Sequence, residues 1–141
     1  MRGAILAGVV LSCACCACAN AGKREAASLV DAVDHFRRAD DATKATLAPS
    51  VDGVGCSAAD VCEAKRACAA AIDPTARALA LKSEVELRYA DIERGTLDAH
   101  SPEASALAVK LDEATRLLQE GRARMPDCER LLTDLKARYG V

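Results

Sequence analysis

Aromatic side chains are almost missing from this 141-residue chain: Phe36, Tyr89 and Tyr139 are the only three, and there is no tryptophan. Stacking platforms for bases or sugar rings are therefore nearly absent. An excess of positive charge is missing too. The formal net charge is −2, and setting Arg2 aside leaves 18 basic against 21 acidic residues. Such a balance offers no basic groove, so no nucleic-acid partner is expected. Histidine occurs only as His35 and His100, which leaves a metal site short of imidazole ligands. No phosphate-binding loop, nucleophile elbow, zincin helix or dinucleotide fingerprint occurs. No catalytic residue is assigned, no cofactor is expected, and the chain reads as a non-enzyme.

What the chain does have is alanine and leucine, which are strong helix formers. Runs such as 67–72 and 76–81 lack the apolar and polar alternation of a strand. The fold class expected is all-α, with a core of Ala, Leu, Val and Ile. Residues 22–141 are enough for one helical domain. The arrangement expected is a long antiparallel helical hairpin with an additional N-terminal helix, three helices in all, coiled-coil-like and disulfide-stapled.

Ahead of that domain, Arg2 is followed by an uncharged stretch from Gly3 to Ala21 with its apolar heart at Ala4 to Leu11, before Lys23 and Arg24 restore charge. This is the shape of a secretory leader. Within it, Val10-Leu11-Ser12-Cys13 resembles the lipobox of bacterial lipoproteins, with an aliphatic residue three places before the cysteine and a small one just before it. Leu11 departs from the smaller residue usual between them. Cys15, Cys16 and Cys18 lack an aliphatic residue three places earlier, so Cys13 is the best acceptor. The resemblance covers these four residues alone. It implies a leader over residues 1–21, lipidation at Cys13, a membrane partner through the lipid, and a place in the cell envelope facing the periplasm. Two alternatives stay open. Cleavage after Ala19-Asn20-Ala21 would give a soluble periplasmic or secreted protein, and retention would give an anchor, since the uncharged stretch is just long enough to span a bilayer.

The clustered thiols of Cys13, Cys15, Cys16 and Cys18 suit a soft metal such as Cu(I) or Zn, and with His35 or Cys56 nearby they would make a thiol-based metal-binding envelope protein. No histidine or further cysteine follows at a ligand spacing, and small, weakly polar residues are ordinary in a cleavage region. No metal site is assigned on this basis.

The first helix is predicted over about 22–48, with Leu29, Val30, Val33 and Phe36 as its apolar stripe and Pro49 as its stop. A loop over 49–55 follows. The second is predicted over about 57–94, where Ser57 accepts the Asp60 amide as a cap and Gly95 ends the helix. A kink or short break is expected at Asp73-Pro74. The third, over about 102–139, has Ser101 as cap, Pro102 in the first position and Glu103 in the first turn. Pro126 is expected to kink it without ending it. Its residues Leu107, Leu111, Ala114, Leu118, Gly121, Met125, Cys128, Leu132, Leu135 and Tyr139 alternate spacings of four and three, a heptad seam. Val61, Ala64, Cys68, Ala71, Thr75, Ala78, Val85, Tyr89 and Ile92 face it on the same scheme, with Lys82 the one misfit. The short connection from Thr96 to His100 makes the two helices antiparallel.

In an exported protein the later cysteines, Cys56, Cys62, Cys68 and Cys128, read first as a disulfide framework. Cys62 and Cys68 are six residues apart on one helix, about 9 Å along its axis, which is beyond the roughly 7 Å limit for a bridge. Cys56 with Cys68 is longer still. This leaves Cys56 with Cys62 and Cys68 with Cys128. Cys68 lies 27 residues before Gly95 and Cys128 lies 27 residues after Ser101, so antiparallel arms bring the second pair level. His35, four residues after Asp31, reads as a solvated side chain in a charged run. The function expected is an interaction or structural role in the envelope, with a protein partner or a second copy of the chain held through helical faces.

Overall fold

The computed structural model describes residues 14–141, with side chains described from Asn20 onward; the segment resembling a lipobox, Cys13 included, lies outside the described residues. Among the described residues the fold is all-helical: α1 (Ala14–Arg38), α2 (Asp41–Asp52), α3 (Ala59–Glu93) and α4 (Pro102–Tyr139). Four helices stand where three are expected, because the stretch 22–48 is divided. Asp40 takes an extended conformation and its Oδ1 accepts the Thr43 amide at 2.8 Å, so it caps a new helix inside the predicted one. At its other end α1 already includes Ala14, eight residues before the expected start at Gly22.

Three further expectations are corrected. Pro49 does not stop α2, which runs one more turn to Asp52 before the Gly53 amide closes onto the Pro49 carbonyl at 3.0 Å. A proline so near the end costs few amide bonds. Ser57 does not cap α3. Ala58 occupies the cap without a side-chain bond, while the Ser57 amide and hydroxyl both donate to Glu25 Oε2 of α1, at 2.7 and 3.0 Å. An ionised carboxylate is the stronger acceptor and draws both donors across. Nor does Pro74 break α3, which continues through it with the ring buried between the buried Ile72 and Ala76. Packing offsets the lost amide bond.

The other helix ends follow from their residues. Gly95 adopts φ 71° after α3, its amide reaching the Ile92 carbonyl at 3.0 Å while the Thr96 amide reaches that of Asp91 at 2.9 Å. Only a residue that tolerates positive φ can close this paired C-terminal turn without strain. Ser101 then caps α4 by accepting the Ala104 amide at 3.1 Å, with Pro102 in the first position.

Residues of α3 meet those of α4 in reversed order. Asp60 bonds Arg138 at 2.7 Å, Cys68 faces Cys128, Glu84 pairs with Lys110, and Arg88 pairs with Glu103 at 3.2 Å. Cys68 and Cys128 stand at disulfide distance, with Cα atoms 4.6 Å apart, and so do Cys56 and Cys62, at 5.0 Å. Along α1, Asp34 reaches Lys136 at 3.8 Å and Arg37 reaches Glu129 at 3.0 Å, while Asp41 at the start of α2 reaches Lys82 at 3.3 Å. Leu29, Val33 and Phe36 of α1 are buried with Val51, Val61, Ile72, Cys68, Cys128, Leu132 and Leu135 in one core. A second cluster, Ala78, Ala114 and Leu117 with Leu81 packed against it, is built from α3 and α4 alone.

Between the two clusters the helices approach through Gly121. A β-carbon there would overlap Thr75 Oγ1 and lie 2.8 Å from the Ala71 carbonyl oxygen. Gly121→Ala is therefore expected to destabilise the fold by about 1–3 kcal/mol, although alanine is the better helix former by about 1 kcal/mol; thermal melting of the variant gives the sign. Removing the Cys68 to Cys128 link, which closes a separation of 60 residues, is expected to cost about 4 kcal/mol, read as the drop in unfolding free energy of Cys68→Ala/Cys128→Ala in urea.

Candidate functional site

The two long helices outrun their cover. α3 and α4 contain 35 and 38 residues, whereas α1 and α2 contain 25 and 12. In the upper part of the pair the second cluster of Ala78, Ala114 and Leu117 is small, and Leu79, Val85 and Leu107 are the other buried side chains. The heptad pattern places Leu111 and Leu118 in that seam. Leu107 and Ala114 of that pattern are buried, but so is Leu117, which the pattern leaves out, while Leu111 and Leu118 remain 37% and 40% exposed. An α-helix drifts about 20° per heptad against a strict seven-residue repeat. Among the described residues only α3 and α4 line this edge, and Leu111 and Leu118 stay at its margin.

The result is an apolar groove of about 360 Å³ lined by Val85, Tyr89, Leu111, Ala114 and Leu118, with Lys82, Glu86 and Thr115 at its rim. Leu118 also lines a second depression with Thr75, Gly121, Arg122 and Met125. The two together run from Leu111 to Met125, 14 residues or about 21 Å of helix. The rim is of mixed sign, with Lys82 between Asp41 at 3.3 Å and Glu86 at 3.8 Å. Burying apolar surface is what such a groove can do.

The remaining sequence candidates are dispersed. His35 is exposed near the end of α1, and His100 is exposed in the connection before α4, its amide donating to Asp98 Oδ1 at 2.9 Å. Cys68 and Cys128 are fully buried in the main core, while Cys56 and Cys62 are half-buried at its edge. Among the described residues no group of three or more His, Cys, Asp or Glu side chains is placed to hold a metal ion. Among them, too, no helix is long and apolar enough to cross a membrane.

Sequence reasoning misses a polar knot at the lower end. Asp60 Oδ1 accepts the Tyr139 hydroxyl at 3.1 Å and the Val61 amide at 2.9 Å, while Oδ2 accepts Arg138 at 2.7 Å. Partial burial pushes the Asp60 carboxyl upward, but the Tyr139, Val61 and Arg138 donors together hold it below its ordinary value. Tyr139 is pushed up by burial and by the Asp60 carboxylate. Glu25 is held low chiefly by the Ser57 amide. The partners lie 78, 79 and 32 residues apart, so no local pattern announces them. The nearest signal is the heptad register, which places Tyr139 opposite the start of the facing helix.

No protein-family model matches the chain, no curated protein matches it, and no solved structure matches it.

Glu25 and Asp60 both have folded pKa values below the ordinary 4.5 and 3.8. The stability they contribute is therefore complete above the ordinary carboxylate range and is lost as pH falls through the lowered folded values. Urea midpoints are expected to be level from about pH 7 to 5 and to decline below about pH 4. Asp60→Asn should flatten part of that acid slope.

Proposed function

We propose that the protein is an exported component of the bacterial cell envelope, lipid-anchored at Cys13 and facing the periplasm. In this reading α3 and α4 form a disulfide-stapled, antiparallel hairpin of coiled-coil character that binds a partner protein and catalyses nothing. The observation that carries the binding role is the uncovered apolar groove from Leu111 to Met125, flanked by Val85 and Tyr89. Its length and its mixed-charge rim suit an amphipathic helix of about four turns laid along the seam. Two cysteine pairs at disulfide distance agree with an oxidising compartment. The leader and its Val10-Leu11-Ser12-Cys13 segment supply the export and anchoring part of the reading.

Two measurements test it. Intact mass of the protein from its native membrane should report a lipid-modified N-terminus at Cys13, and Cys13→Ser should abolish that processing and detergent-phase partitioning; unchanged processing and membrane association would sink the anchor. For the groove, a photo-crosslinking side chain at Leu118 should give one discrete protein adduct in cells. The same probe at Arg130, an exposed position lower on α4, should give none. Leu111→Lys, at a margin position where the stability cost is expected to stay under about 1 kcal/mol, should remove the adduct. Equal labelling from both positions would overturn the groove as a binding surface.

A further inference from the structure

We propose that Cys56 and Cys62 form the exchangeable disulfide of this protein, a site at which a dithiol reductant opens the connection between α2 and α3 while the Cys68 to Cys128 clamp stays closed. The inference goes beyond the reading above and uses neither the anchor nor the groove.

The two cysteine pairs stand in opposite surroundings. Cys68 and Cys128 are 0% exposed in the main core, so an attacking thiolate reaches their sulfurs only after α3 and α4 part. Cys56 and Cys62 are half-buried, and Gly55, Ser57 and Glu63 beside them are exposed. Cys56 lies in the loop after α2. Cys62 lies in the first turn of α3, where its amide donates to the Ala58 carbonyl at 3.0 Å. The separations they close also differ, 6 residues against 60. A short closure removes less freedom from the unfolded chain than a long one, so the fold depends less on this pair and stands when it opens. The opened state has a place for its thiol as well: the Cys56 carbonyl oxygen is 3.0 Å from Cys62 Sγ and can accept its S–H.

The exchange balances between the two thiol pairs. A thiolate of the reductant attacks Cys56 Sγ and forms a bond to it, the bond to Cys62 Sγ breaks, and Cys62 leaves as a thiolate, the form that the amides at the start of α3 favour. The second thiol of the reductant then closes onto its own first sulfur and releases Cys56. Two electrons and two protons pass from the reductant to the cysteines. What this changes is the loop, whose other ties are noncovalent: Lys65 Nζ donates to the Val54 carbonyl at 2.7 Å, and the Ser57 amide and hydroxyl donate to Glu25 of α1. Without the covalent tie these bonds hold the loop alone, so its grip on α1 loosens by local opening while the α3 and α4 pair keeps its own clamp.

Differential alkylation read by mass spectrometry tests this on the full-length protein, with dithiothreitol as the reductant. Cys56 and Cys62 are expected to become labelled together, about tenfold or more faster than Cys68 and Cys128. In Cys56→Ser/Cys62→Ser the buried pair should open no faster than in the unsubstituted protein. Equal rates for all four cysteines, earlier labelling of Cys68 and Cys128, or labelling of Cys56 and Cys62 without reductant would overturn the site. Hydrogen exchange on the selectively reduced protein reads the loop: amides of residues 54–58 should exchange about tenfold or more faster, and those flanking Cys68 and Cys128 at an unchanged rate. Unchanged exchange over 54–58 would overturn the release of the loop. Failure of the anchor or of the groove moves none of these readouts.

Discussion

The close approach of α3 and α4 is the constraint on which the rest of the molecule depends. With few aromatic side chains available, the core cannot be filled by bulk, and the helices have to come together on small residues. Gly121 lies against Thr75 and the Ala71 carbonyl, where even a methyl group has no room. Directly below, Cys68 and Cys128 stand with Cα atoms only 4.6 Å apart, a separation that demands the same small distance between axes. Thin packing and a covalent clamp are two parts of one solution. An alanine-rich seam buries little area per residue, and a clamp that restricts the unfolded chain compensates for it.

From that approach follows the division of the molecule into a thick and a thin part. Where α1 and α2 lie against the pair, leucine, valine, isoleucine and phenylalanine complete a core of ordinary kind. Above them, among the described residues, the seam holds the small cluster of Ala78, Ala114 and Leu117, with Leu79, Val85 and Leu107 also buried. The apolar groove is a direct result of this geometry: side chains that a third helix would cover are left at the margin. At the opposite end, the polar knot of Asp60, Arg138 and Tyr139 closes the thick part with charge-assisted bonds.

Much of this was legible in the residues, and the failures have physical causes. The four late cysteines could be paired from helix rise alone, and the pairs at disulfide distance are the two that elimination leaves. Gly95, Ser101 and Pro102 marked real helix ends because their roles are local. Asp40 is local too, but its capping bond competes with an apolar stripe that reads straight through it, and periodicity alone favours the longer helix. Ser57 was misjudged because its best acceptor, Glu25, is 32 residues away. At Pro74 the break, one of the two alternatives expected, does not occur, because burial can outweigh one missing amide bond. Leu111 and Leu118 sit on a correct heptad pattern, yet a pattern cannot say how many helices will surround it. The groove is therefore the point at which sequence periodicity and the number of available neighbours part company.

The position of the Cys68 to Cys128 clamp along α4 has a mechanical meaning. Below Cys128 only 11 residues separate it from Tyr139, whereas 26 separate it from Pro102, about 16 Å against about 39 Å of helix. The clamp thus sits well below the middle of α4, with its short side embedded in the thick core. Leu118 stands ten residues above it and Leu111 stands 17 residues above it, so the two ends of the groove lie at unequal distances from the covalent tie.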